Sequence, residues 1–296
     1  MKKIIFEGAA TALVTPFSGG RVDETALCAL IEEQIAAGIS ALVICGTTGE
    51  ASTMTDKERA DVISLAVKAA RGRVPVIAGA GSNDTAHAAE LSLAAEEAGA
   101  DALLIVTPYY NKTSQAGLVK TYETLATTVK IPIIVYNVPS RTGMTVEPET
   151  YAALADVPNV CAVKEASSDM SKFARAIALS GDRLTFYCGN DDLTVPMMAL
   201  GARGVISVLS NVTPRDVSRM CERFSAGDVA EAARMQLEFL PLISALFSDV
   251  NPVPVKEALA LMNKCRADVR LPLVQMSDDK KPALKKALAA AGLFIG

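Results

Sequence analysis

The chain has 296 residues, half of them hydrophobic, few aromatic and none tryptophan, with a formal charge of -4. This is an ordinary globular composition, and because Lys and Arg are scattered it has no basic stripe for nucleic acid. No run reaches the roughly 18 apolar residues of a membrane span, so neither nucleic acid nor membrane is expected as a partner.

The chain opens on Met1-Lys2-Lys3-Ile4-Ile5-Phe6, which has the charge-then-apolar order of a signal peptide. Glu7 ends that run and Pro16 interrupts the next, which points to a cytoplasmic protein. Short β-rich runs then recur with helical stretches between them. The strands expected are Ala9 to Thr15, Ala41 to Cys45, Val74 to Ala80, Ala102 to Thr107, Ile131 to Val138, Val160 to Ala166, Thr185 to Cys188 and Gly204 to Leu209. Several are continuously apolar, as strands buried on both faces of a parallel sheet are.

Between and after them, helices are expected over Glu24 to Ala37, Asp56 to Ala70, Asp84 to Ala98, Gln115 to Val129, Pro148 to Leu154, Met170 to Leu179, Leu193 to Leu200 and Pro214 to Ser225. Asp23, Thr55, Asn83, Asp169 and Thr213 read as N-caps, and Gly38, Gly72 and Gly99 fall where C-terminal glycines belong. Eight unbroken βα units imply an α/β fold, the (β/α)8 TIM barrel, over residues 1–225. Three further helices, Val229 to Phe247, Val255 to Asn263 and Lys280 to Ala291, make residues 226–296 a C-terminal helical appendage. The six cysteines are far apart with no CxxC pair and read as buried free thiols in a reducing compartment. With one histidine and no cluster of Cys or Asp ligands, no metal is expected.

The most informative residue is Lys164, which interrupts the apolar run Val160-Cys161-Ala162-Val163-Lys164-Glu165-Ala166-Ser167. An ammonium is expensive to bury there, so the lysine is either snorkelling from a strand end or a working amine. Alternation puts it on the face of Ala162 and Ala166, whose small side chains leave room for a ligand, and turns Glu165 away from it. In such a barrel the active site lies at the C-terminal ends of the strands. Gly46-Thr47-Thr48-Gly49-Glu50, Pro108-Tyr109-Tyr110-Asn111, Tyr136-Asn137-Val138-Pro139-Ser140-Arg141-Thr142-Gly143 and Gly189-Asn190-Asp191 all fall at that rim with Lys164. The hydroxyl pair between two glycines suits a carboxylate, and Arg141 is placed to clamp a second one. A buried lysine with a tyrosine, Tyr136, forms a Schiff-base constellation, in which burial favours the neutral amine and a phenol can shuttle the protons.

These segments, with Thr107-Pro108, Val163-Lys164-Glu165, Gly204-Val205-Ile206-Ser207 and Asn251-Pro252-Val253-Pro254-Val255-Lys256, resemble the dihydrodipicolinate synthase family over nearly the whole chain. The resemblance implies condensation of pyruvate with L-aspartate 4-semialdehyde to 4-hydroxy-tetrahydrodipicolinate, with no cofactor beyond a lysine-pyruvate Schiff base. It implies that Lys164 carries the Schiff base and that Tyr136, Thr47 and Tyr110 relay protons, Tyr110 reaching in from a neighbouring subunit. Thr48 would hold pyruvate's carboxylate, Arg141 the semialdehyde's, and Gly189 and Ile206 would shape the pocket. The assembly implied is a homotetramer, a dimer of dimers. Two other readings stand beside this one: an N-acetylneuraminate lyase-like aldolase, and a non-catalytic keto-acid binder. Those lyases usually have Ser at Thr47 and lack Arg141, whereas a binder should have lost part of the relay. In lysine-inhibited relatives the effector lies between segments matching Ser52, Asp56, Arg59, Asn83, His87 and Tyr109. Here His87 stands where many carry a glutamate, so weak or absent inhibition by lysine is expected.

Overall fold

In the computed structural model, which describes residues 2–293, eight parallel strands close into a barrel with each strand beside its sequence neighbour. They are β1 (Gly8–Ala12), β2 (Ala41–Ile44), β3 (Val76–Gly79), β4 (Ala102–Val106), β5 (Ile133–Asn137), β6 (Val160–Glu165), β7 (Thr185–Cys188) and β8 (Gly204–Ser207). The helices after them are α1 (Glu24–Ala36), α2 (Asp56–Ala70), α3 (Thr85–Glu97), α4 (Gln115–Thr128), α5 (Pro148–Leu154), α6 (Met170–Ser180), α7 (Thr194–Ala199) and α8 (Pro214–Ser225). Three more follow: α9 (Val229–Leu246), α10 (Val253–Leu261) and α11 (Lys281–Ala290). No described helix is long and apolar enough to cross a membrane. Met1 and residues 294–296, part of the two spans expected above, lie outside the described residues.

The strands are mainly apolar on both faces because each separates two cores. Inside the barrel lie small and medium side chains, among them Ala10, Ala41, Val43, Ile77, Ala162 and Ile206. Outside it, Leu42, Ile44, Leu103, Val135, Val163 and Phe186 pack against the helices. Alternation is broken once, where it matters. Ile133 pairs with Val160 and Ile134 with Ala162, so Cys161 is an extra residue in β6. The bulge turns Val160 outward and Ala162 inward, and from there Lys164 falls in register with Tyr136.

The helices begin where short polar side chains satisfy their free amides. Asp23 accepts from the Ala26 amide at 3.0 Å and Asp169 from Lys172 at 2.9 Å, while Thr55 and Glu58 form a reciprocal capping box. At α3 the cap is Asp84, which accepts from the Ala86 amide, and Asn83, expected there, lies one residue outside. Thr213 holds the N-cap position of α8, but its hydroxyl turns to Asp216 instead of an amide. All six cysteines are free thiols, four buried; Cys28 and Cys265 are partly exposed, contrary to expectation. A small antiparallel hairpin, Phe17–Ser18 with Arg21–Val22, was not anticipated. Its signal was Gly19-Gly20, both at positive φ, the requirement of a type I′ turn.

Candidate active site

Lys164 projects from β6 into the barrel and is 5 % exposed. Its neighbours across the sheet are Tyr136 on β5 and Tyr187 on β7. Its Nζ lies 4.6 Å from the Tyr136 ring centroid, over the face of the ring. Tyr187 is occupied elsewhere, stacking on Phe6 at 4.0 Å and donating its hydroxyl to the Phe6 carbonyl, so Tyr136 is the phenol left to face the amine. Gly189 makes room on the other side. A Cβ there would lie 2.7 Å from Ala166 Cβ and 3.1 Å from Lys164 Cε, so only glycine lets the lysine stem pass. Below it Asp191, buried, takes the Val208 and Leu209 amides at 3.0 and 2.9 Å. Burial pushes its carboxyl above the usual range, against the pull of Ser207, these amides and the charge of Lys164.

Thr47 and Tyr136 line a common cavity of about 300 Å³ with Tyr109, Ser52, Arg59 and Arg141. Neither the Thr47 nor the Tyr136 hydroxyl is bonded to another described side chain. The loop after β2 is wound tightly: the Gly49 and Glu50 amides return to the Gly46 and Thr47 carbonyls at 3.1 Å, and Thr15 holds the Gly49 carbonyl at 2.8 Å. The amides of Thr47 and Thr48 have no protein acceptor among the described residues, which leaves two donors side by side for a carboxylate.

The segment leading into α10 enters this site, through contacts that the sequence reading did not specify. Asn251, at the approach to α10, donates its side-chain amide to Thr48 Oγ1 at 3.0 Å and accepts Arg141 Nη2 on its carbonyl at 3.3 Å. One residue thus fixes both of the groups expected to hold carboxylates. Five residues on, Lys256 is wholly buried and pairs with Glu50 at 2.5 Å. Only the motif Asn251 to Lys256 hinted at these partners. Arg141 itself is exposed on a short helical turn, Pro139–Thr142.

The remaining expected residues are distributed as follows. Ile206 is fully buried in the barrel interior. Tyr110 is not brought to the others: it is 92 % exposed, at a positive φ of 67° that a tyrosine rarely adopts, and does not line the cavity that Tyr109 lines. His87 Nε2 meets Asp56 at 3.0 Å and Nδ1 meets Ser82 at 3.4 Å, Asn83 accepts from Asn111 through its carbonyl, and Arg59 is buried with Nη2 on the Gly79 carbonyl.

Residues 5–291 match the Dihydrodipicolinate synthetase family. The chain is 50 % identical to a 4-hydroxy-tetrahydrodipicolinate synthase of Geobacter sulfurreducens, covering 95 % of this chain and 97 % of that one. It is 48 % identical to one of Acetivibrio thermocellus, covering 99 % and 100 %. Among solved structures it is similar to a dihydrodipicolinate synthase from Aquifex aeolicus, with TM-score 0.96 and 42 % identity over 98 % of this chain and 99 % of the other.

Proposed function

We infer, since this chain belongs to the dihydrodipicolinate synthetase family, that it is an enzyme condensing pyruvate with L-aspartate 4-semialdehyde to 4-hydroxy-tetrahydrodipicolinate in lysine biosynthesis through diaminopimelate. Lys164 Nζ attacks the keto carbon of pyruvate and, with loss of water, forms an imine. Loss of a methyl proton gives an enamine, whose carbon adds to the aldehyde. The amine of the semialdehyde then attacks the imine carbon, closes the ring and releases Lys164. The protonated imine is the electron sink, so the reaction needs no cofactor. The observation that carries this reading is the buried Lys164 amine over the Tyr136 ring, in register across β5 and β6.

Tyr136 moves the protons in and out of the carbinolamine, with Thr47 beside it in the cavity. Pyruvate's carboxylate sits on the free amides of Thr47 and Thr48, the semialdehyde's on Arg141, and Gly189 and Ile206 shape the pocket. Tyr110 completes the relay from a second copy of the chain, which its exposed and twisted position supports. The assembly is then a homotetramer, a dimer of dimers, as the resemblance implies. Residues 1–225 carry the chemistry and residues 226–296 brace it, a division supported by the Asn251 and Lys256 contacts. Six thiols left unpaired support a cytoplasmic setting.

The test is reduction with borohydride in the presence of pyruvate, followed by peptide mapping. We expect one adduct, on Lys164, and neither adduct nor synthase turnover in Lys164→Ala. An adduct on another lysine refutes the assignment. Cleavage of N-acetylneuraminate faster than condensation with the semialdehyde refutes the synthase reading in favour of the lyase.

A further inference from the structure

Glu165 follows Lys164 on β6 but faces the opposite way, and although buried it has no cation to balance it among the described residues. Its two oxygens are instead filled by neutral donors. Asn137 Nδ2 lies 3.0 and 3.1 Å from them, Tyr151 Oη 2.5 Å from one, and the Ser167 amide 2.7 Å from the other. Burial and the adjacent carboxylate push the Tyr151 hydroxyl well up, so it stays a donor. The arrangement is keyed to the active site by register: Tyr136 is opposite Lys164, and the next residues, Asn137 and Glu165, are opposite each other. The reactive pair faces into the barrel, and the hydrogen-bonded pair locks the same two strands from behind. Asn137 Oδ1 also takes the Val146 amide at 3.2 Å, which ties down the segment that carries Arg141. A charge held by neutral groups is a costly way to join two strands that an apolar pair could join as well, so the network has a use beyond cohesion.

We propose that Glu165 is a positioning residue, which through Asn137 and Tyr151 sets the placement of Lys164 over Tyr136 for imine formation. This rests on the Schiff-base reading above. Displacing a reacting group by about 1 Å from behind costs on the order of 100-fold in rate.

Glu165→Gln is the sharpest variant. It keeps the shape but turns one acceptor into an amide donor, and Asn137 cannot flip to receive it while its oxygen holds Val146. We expect imine formation, followed by borohydride quench in single turnover, to slow about 10- to 100-fold with pyruvate KM changed less than about 3-fold. Tyr151→Phe removes a single donor and should slow the same step about 3- to 10-fold, which keeps the test alive if Glu165→Gln does not fold. The double variant Asn137→Asp with Glu165→Gln reverses the bond between the strands and keeps acceptors for the Val146 and Ser167 amides, so that Tyr151 alone loses its acceptor. It should bring imine formation back to the level of Tyr151→Phe, within about 10-fold of the parent. Unchanged imine rates in the folded variants, or no recovery in the exchanged pair when both parents are folded, overturn the proposal. Absence of an adduct on Lys164 in the unaltered protein would instead overturn the reading it rests on.

Discussion

Replacing Lys256 with methionine would remove the cation that neutralises Glu50 behind the Thr47-Thr48 loop. Lys256 Nζ bonds Glu50 Oε1 at 2.5 Å and the Asp268 carbonyl at 2.7 Å, and lies 4.2 Å from the Phe17 ring centroid. Burial pushes its ammonium down while Glu50 pulls it back. Both side chains are essentially removed from water. After Lys256→Met, the Glu50 carboxylate would keep a single hydrogen bond, from the Arg270 amide at 3.1 Å on the other oxygen, with the Arg270 guanidinium as a cation still acting on it. Breaking one side of a buried pair costs about 3 to 5 kcal/mol, because the remaining charge is stranded. At about 2 °C per kcal/mol for a chain of this size, the thermal midpoint should fall by roughly 6 to 10 °C. Glu50 occupies a positive φ of 55° and closes the turn that carries the two threonines, so pyruvate KM should rise in the same variant. Adding Glu50→Gln removes the stranded charge and keeps an acceptor for Arg270; this double variant should recover more than half of the lost midpoint. Melting curves at one protein concentration, since assembly shifts the midpoint, with pyruvate titrations at a temperature where all variants are folded, provide the check. A fall of less than about 2 °C in the single variant, too small for a stranded buried charge, or a double variant worse than the single, would refute the reasoning.

Three other outcomes are expected. Tyr136→Phe should slow turnover by about 10²- to 10⁴-fold, the contribution of a positioned acid-base group, and near-normal turnover removes Tyr136 from the mechanism. Arg141→Ala should lose a charge-assisted contact of about 1.5 to 3 kcal/mol, or roughly 10- to 150-fold in kcat/KM for the semialdehyde, while pyruvate is still trapped on Lys164; loss of trapping with semialdehyde use intact would reverse the allocation of the two carboxylates. Inhibition by L-lysine should be weak or absent, because His87 spends both nitrogens on Asp56 and Ser82 and buried Arg59 adds a like charge to that cleft. Half-inhibition at submillimolar lysine would defeat this, and His87→Glu should strengthen binding about 10- to 150-fold if a single charge decides the matter.

The linear order of residues was enough for the barrel, and it singled out the lysine proposed as the reactive amine. Strand and helix formation is local: continuous apolar runs mark strands buried on both faces, Asp23, Thr55 and Asp169 begin helices by bonding amides three residues on, and eight such units leave little choice but closure. Lys164 was legible for a related reason, since a charge in an apolar run is conspicuous without any structure. What the sequence did not determine depends on where the chain returns. Asn251 meets Thr48 across 203 positions and Lys256 meets Glu50 across 206, separations at which no periodicity operates. The bulge at Cys161 that puts Lys164 level with Tyr136 depends on the neighbouring strand, and Asp84 rather than Asn83 caps its helix, accepting the Ala86 amide. Glu165 shows the division most clearly. Alternation turned it away from the pocket, but only the packing of α5 and β5 against β6 supplied the Tyr151 and Asn137 donors that make its burial tolerable.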